Sequence, residues 1–243
     1  MKKLLITFAL FMLLIVPAYA ETLRVIPYPA SADTQSEGAS SAPTNINHRP
    51  SEYFDTQTDF YEAKNTDTRI ILTHYPTYQQ TRENTCGPAA ALTVLYYYGV
   101  TNYTEEDLAR EMKTHSHVGT NPKNLLAFFE RLKWKTDSNL THSRFEEYDD
   151  FMNFVKKNLS ENTPIMVENV EWGGHWRVII GYDTMGTSST LDDVLIMVDP
   201  YDTCDHSQDG YTVENGENFY SMWFDHSMLP EDQRDQPFVI ARP

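Results

Sequence analysis

The sequence predicts an α+β fold in which a helical front half packs on an antiparallel sheet half. Two observations predict it. Between Pro88 and Leu159 four successive stretches read as helices, the first apolar almost all round and the last with an apolar stripe at spacings of three and four. From Pro164 onward the apolar runs shorten and are bounded by turn formers, as strands are. No internal repeat is visible.

The first twenty residues read as a secretory signal sequence. Lys2 and Lys3 form a basic start, Leu4 to Val16 an apolar run, and Ala18-Tyr19-Ala20 a small-residue cleavage site. The apolar run is short for a bilayer span, so no transmembrane segment is expected after cleavage behind Ala20. Glu21 rather than a cysteine stands directly after that point, so no lipid anchor is expected either. The expected destination is secreted or periplasmic. With 19 basic against 35 acidic residues the chain carries −16, and loss of Lys2 and Lys3 takes it to −18. Such a balance disfavours nucleic acid and anionic membrane surfaces as partners. Residues 21–65 are rich in Pro, Ser, Thr, Asn and acids with little apolar periodicity, and read as a polar extended arm. Tyr53, Phe54, Phe60 and Tyr61 are its candidate anchors to a domain spanning 66–243.

Within that domain, Ile70 to Leu72 is a short apolar strand. Pro88 to Tyr98 is apolar almost all round, which predicts a buried central helix ended by Gly99 in a left-handed cap. Thr104 opens a second helix with Asp107 three residues on, a capping arrangement. Asn121-Pro122 opens a third, carrying Leu125, Leu126, Phe128, Phe129 and Leu132. Phe145, Tyr148, Met152, Val155 and Leu159 form the stripe of a fourth. Pro164 to Val170, His175 to Tyr182, Val194 to Val198 and Phe238 to Ala241 read as strands.

Three motifs carry chemistry. The first is Gln80-Thr-Arg-Glu-Asn-Thr-Cys86-Gly-Pro-Ala, with a glutamine six residues before a cysteine that opens a helix. Free N–H groups and partial positive charge at a helix start favour thiolate over thiol. The Gln80 amide is a candidate donor to a developing oxyanion. A buried structural cysteine is the plain alternative, and a Cys86–Cys204 disulfide is another, since export permits disulfides.

The second is Trp172-Gly173-Gly174-His175-Trp176, a histidine held at the mouth of an apolar strand. The two glycines leave space for a substrate backbone, and Trp176 is a candidate groove residue. The third is Val198-Asp199-Pro200, an acid ending an apolar strand. If the two strands are antiparallel neighbours joined through residues 183–193, Asp199 meets the imidazole and fixes its tautomer. A turn-forming Asp-Pro is the alternative.

Together these stretches, from about Gln80 to Asp199, resemble the papain-like cysteine peptidases, specifically the family of bacteriocin double-glycine leader peptidases and their stand-alone relatives. The resemblance implies a papain-like fold with a cleft between its halves. It implies Cys86 as nucleophile, His175 as general base, Asp199 as its orienter and Gln80 as oxyanion donor, acting on a peptide or protein without a cofactor. The leader peptidases are mostly fused to export ATPases; here a signal sequence and no fused transporter are expected, so leader processing is not the expected task. Two other readings stand beside it: a transpeptidase of the phytochelatin-synthase type, and an inactive binding module on the same scaffold. Asp199, Asp202, Asp205 and Asp209 suggest a calcium loop, but position twelve from Asp205 is Gly216 rather than glutamate. His115 and His117 lack a ligand set for zinc, so no metal is expected.

Overall fold

The computed structural model describes residues 23–42, 58–203 and 208–243. The expected signal sequence, Tyr53, Phe54, Cys204 and Asp205 lie outside the described residues. Strand β1 is Arg69–Ile71, followed by helices α1 (Cys86–Tyr97), α2 (Glu105–Glu111) and α3 (Pro122–Arg131). Strand β2 (Lys135–Ser138) and α4 (Tyr148–Ser160) lead to β3 (Ile165–Asn169), β4 (His175–Asp183) and β5 (Val194–Val198). Then come β6 (Tyr211–Asn215), α5 (Gly216–Ser221) and β7 (Phe238–Arg242). Among the described residues no helix is long and apolar enough to cross a membrane.

The seven strands form one antiparallel sheet in the order β2-β7-β3-β4-β5-β6. Strand β1 joins the far half of β4, pairing Ile71 with Gly181 where β3 no longer reaches. The expected layout is therefore an α+β fold with a finer weave. Strand β2 lies between two helices in the chain yet pairs with the last strand, β7. The polar run Lys135-Thr-Asp-Ser gave no apolar signal because it sits at the sheet's edge, as does β6.

Helix α1 forms because Ala, Leu and Val fill it, and its first ten residues are all buried. Gly99 follows at φ +79°, the left-handed conformation that ends such a helix at little cost. Helix α2 starts with the reciprocal bonds between Thr104 and Asp107, and Asn121 caps α3 ahead of Pro122. Helix α4 turns Phe151, Met152, Val155 and Leu159 inward. The sheet interior and these helices share one apolar core.

Residues 23–42 and 58–65, which read as an arm, contribute Ile26, Ala39, Tyr61 and Ala63 to the buried interior. Ile26 N–H donates to the Thr77 carbonyl at 2.9 Å and Thr77 N–H to Arg24 at 3.0 Å. Tyr61, and Phe60 packed against the core, are two of the expected anchors. Ile26, Ala39 and Ala63 are single apolar residues between polar ones, which sequence patterning does not reveal. Gly38, at φ +72°, lies so close to the chain at Gln80–Thr81 that a Cβ would be 2.6 Å from the Gln80 carbonyl oxygen.

Candidate active site

The loop before α1 is held from below. Glu105, buried at the first turn of α2, accepts from the Tyr78 hydroxyl at 2.9 Å, Thr81 N–H at 3.0 Å and the Thr81 hydroxyl at 2.8 Å. It also accepts from the Thr85 hydroxyl. Thr85 therefore does not cap α1 with its side chain. The positive end of the helix is left to face Cys86, its first residue. Cys86 is a free, buried thiol, and Cys204 falls outside the described residues. Gly87 permits a close approach: a Cβ there would lie 2.8 Å from Thr120 Cβ and 3.4 Å from Trp176 Cδ1.

His175 opens β4, and Asp199 follows β5. The Val178–Val198 pairing brings these two ends to the same margin of the sheet. His175 Nε2 lies 2.7 Å from Asp199 Oδ1, with both residues 4 % exposed. That oxygen also accepts Tyr201 N–H at 2.7 Å. Cys86 lies close enough to act on the imidazole, and Asp199 occupying Nε2 leaves Nδ1 for the sulfur. Burial works against the imidazolium, but the charge and hydrogen bond of Asp199, joined by Cys86, outweigh it and push His175 up to about 10. Burial opposes the Asp199 carboxylate too, yet the His175 charge and hydrogen bond hold it below the usual range. The structure thus brings Cys86, His175 and Asp199 together.

Gln80 is placed differently from the open oxyanion donor that the motif suggests. It is 1 % exposed, and its amide donates to the Arg82 carbonyl at 2.6 Å and the Glu83 carbonyl at 3.2 Å. Its Oε1 is buried without a partner. Its neighbour Gln79 does what sequence reasoning missed. Gln79 Nε2 donates to the Asp199 carbonyl at 2.8 Å and Oε1 accepts Asp202 N–H at 3.1 Å, tying the thiol loop to the carboxylate turn. A glutamine pair ahead of the cysteine was the available signal.

A cleft of about 170 Å³ opens beside Cys86. Trp176, 2 % exposed, lines it and donates its indole N–H to the Thr120 carbonyl at 2.8 Å. Trp172 stands exposed at the rim with φ +55°, followed by Gly173 at +81° and Gly174 at +110°. Gly173 faces open space, with Met228 Cε 3.8 Å from where its Cβ would be. Gly174 instead makes room for a side chain: a Cβ there would lie 2.7 Å from Asp225 Oδ2. None of the described arm residues lines this cleft.

The model of the Peptidase_C39 like family matches residues 72–226, well over half of the chain and the whole span from the Gln79 loop past Asp199. The chain belongs to that family. No curated protein matches it. Solved structures similar to this C39-like chain include the peptidase domain of Streptococcus ComA, described as a bifunctional ABC transporter involved in a quorum-sensing pathway. That domain is 21% identical, with a TM-score of 0.47, over 70% of this chain and 100% of the domain. A double glycine motif protease from an AMS/PCAT transporter, solved with its leader peptide, is 16% identical with a TM-score of 0.44, over 73% and 96%. UfSP from C. elegans is 13% identical with a TM-score of 0.43, over 75% of this chain and 35% of its own.

Proposed function

We propose that this C39-like peptidase is an exported thiol hydrolase that cleaves peptide or isopeptide bonds through Cys86, His175 and Asp199. The observation that carries the reading is the buried His175, bonded to Asp199 at 2.7 Å with Cys86 close by. At neutral pH the raised imidazole holds its proton, which favours a thiolate at Cys86 together with the helix start.

Cys86 Sγ attacks the amide carbonyl carbon, and the carbonyl electrons move to oxygen. The Cys86 backbone N–H is one donor to that oxyanion. The Gln80 amide is the second, on the condition that one of its N–H groups turns from the loop carbonyls when substrate binds. His175 passes its proton to the leaving amine as the C–N bond breaks, leaving a thioester. Water then attacks the thioester carbonyl, giving its proton to His175, and the acid departs from Cys86. Asp199 stays ionised throughout and stabilises the imidazolium. Trp172, Gly173 and Trp176 form the wall on which a peptide backbone is laid.

The test is a proteome incubated with wild type or with Cys86→Ala, followed by mass spectrometry of released peptides. New termini are expected with wild type alone. Identical peptide sets from both proteins would remove the hydrolase reading. The export reading predicts a mature chain beginning at Glu21, readable by N-terminal sequencing of the exported protein.

A further inference from the structure

We infer that Glu168 and Asp225 form a binding site for a cationic side chain, so that the cleft beside Cys86 selects peptides bearing lysine or arginine. The inference rests on the thiol-hydrolase reading for its meaning as substrate selection. The site itself rests on geometry.

Glu168 sits in β3 opposite Trp176, and Asp225 follows α5, far away in the chain. Both line the cleft that holds Cys86, although they are only 2 % and 0 % exposed. They converge beside Gly174, whose Cβ, if present, would lie 2.7 Å from Asp225 Oδ2 and 3.1 Å from Glu168 Oε1. Asp225 Oδ1 is already satisfied by Ser227 N–H at 2.9 Å, the Ser227 hydroxyl at 2.8 Å and Met228 N–H at 2.9 Å. Its Oδ2 and Glu168 Oε2 are buried with no donor to meet them.

Among the described residues neither carboxyl forms a salt bridge; Arg177, next to Trp176 in β4, is engaged by Glu171 at 2.7 Å and Glu214 at 2.8 Å. Two buried acids without a cation are costly, and they relieve the cost by sharing a proton or by binding a positive charge. Burial, then the charge of Asp225, pushes Glu168 well above the usual carboxylate range, as a shared proton requires. An incoming ammonium or guanidinium replaces that proton and supplies the missing donors to both oxygens. Met228 and Leu229 beside the pair offer an apolar wall for the methylene stem of such a side chain.

The test compares the rates at which Cys86 in the full chain reacts with methanethiosulfonates of similar size: 2-aminoethyl (cationic), methyl (neutral) and 2-sulfonatoethyl (anionic). In wild type the cationic reagent is expected to outpace the neutral one by about tenfold or more, as a nearby unscreened charge demands. In Glu168→Gln, and separately in Asp225→Asn, that ratio is expected to fall to within about twofold of unity. A wild-type ratio near one, or a preference that survives both substitutions, overturns the site. If even the neutral reagent leaves Cys86 untouched, the hydrolase reading fails on its own account. Calorimetric titration of Cys86→Ala with acetyl-lysine methylamide against acetyl-norleucine methylamide then decides the site. Binding of lysine alone keeps it, and equal or absent binding removes it.

Discussion

Thr81 gives Glu105 both its backbone N–H, at 3.0 Å, and its hydroxyl, at 2.8 Å. This single buried carboxylate from α2 therefore fixes the loop that delivers Cys86. Glu105→Ala leaves the Thr81 N–H and three hydroxyls without their acceptor. Hydrogen bonds to a charged group are each worth roughly 1.5–3 kcal/mol, so a loss of about 3–5 kcal/mol in chemical denaturation is expected. Cys86 alkylation should slow in the folded fraction. Unchanged stability would show that the loop holds itself.

The His175–Asp199 pair sets a pH window. His175 is raised, so its contribution to stability is complete below its ordinary value of 6.5 and disappears as pH rises through about 10. Asp199 is lowered, so its contribution is present above its ordinary 3.8 and is lost as pH falls through the depressed value. Asp199→Asn keeps the shape but removes the charge. The alkaline fall in kcat/KM, and the His175 resonance in NMR titration, are expected to move down by about one pH unit or more. A titration that stays in place contradicts the ion pair.

Local signals made much of this fold legible. Thr104 and Asp107 announce α2 because a cap is built from neighbours, and the Ala-Leu-Val run of α1 declares a helix buried on every side. His175 and Asp199 were readable because each is a polar residue at the end of an apolar strand. The edge strands β2 and β6 escaped because partial exposure leaves polar residues in them. The acidic pair escaped for another reason: the contact joins distant segments, and only the charge inside Ile165-Met-Val-Glu168 hinted at it. The amide of Gln80 points where neighbouring carbonyls draw it, which no spacing encodes.

That placement changes what Gln80→Ala is expected to do. The motif alone suggests lost turnover with folding intact. With its amide bonded to the Arg82 and Glu83 carbonyls, the substitution is expected to cost about 1–2 kcal/mol as well. Turnover should fall by about 10²–10³ if one N–H reaches the oxyanion. Stability loss with turnover intact would assign Gln80 to loop architecture.

The two glycines before His175 are expected to respond unequally. Gly173→Ala meets only Met228 Cε at 3.8 Å, so backbone strain of about 1 kcal/mol is the main effect. Gly174→Ala combines φ +110° with a Cβ 2.7 Å from Asp225 Oδ2, and a cost of about 2–3 kcal/mol is expected. Thermal melts of the two variants make the comparison, and equal melting temperatures would contradict the close approach.

The most direct measurement is the rate of Cys86 carboxamidomethylation by iodoacetamide across pH, in wild type and in His175→Ala. The thiolate–imidazolium reading requires fast labelling already at pH 6, well below where an ordinary thiol ionises, and a collapse of that acidic reactivity when His175 is removed. A wild-type thiol that stays inert, or that ionises like a free cysteine whether or not His175 is present, contradicts it.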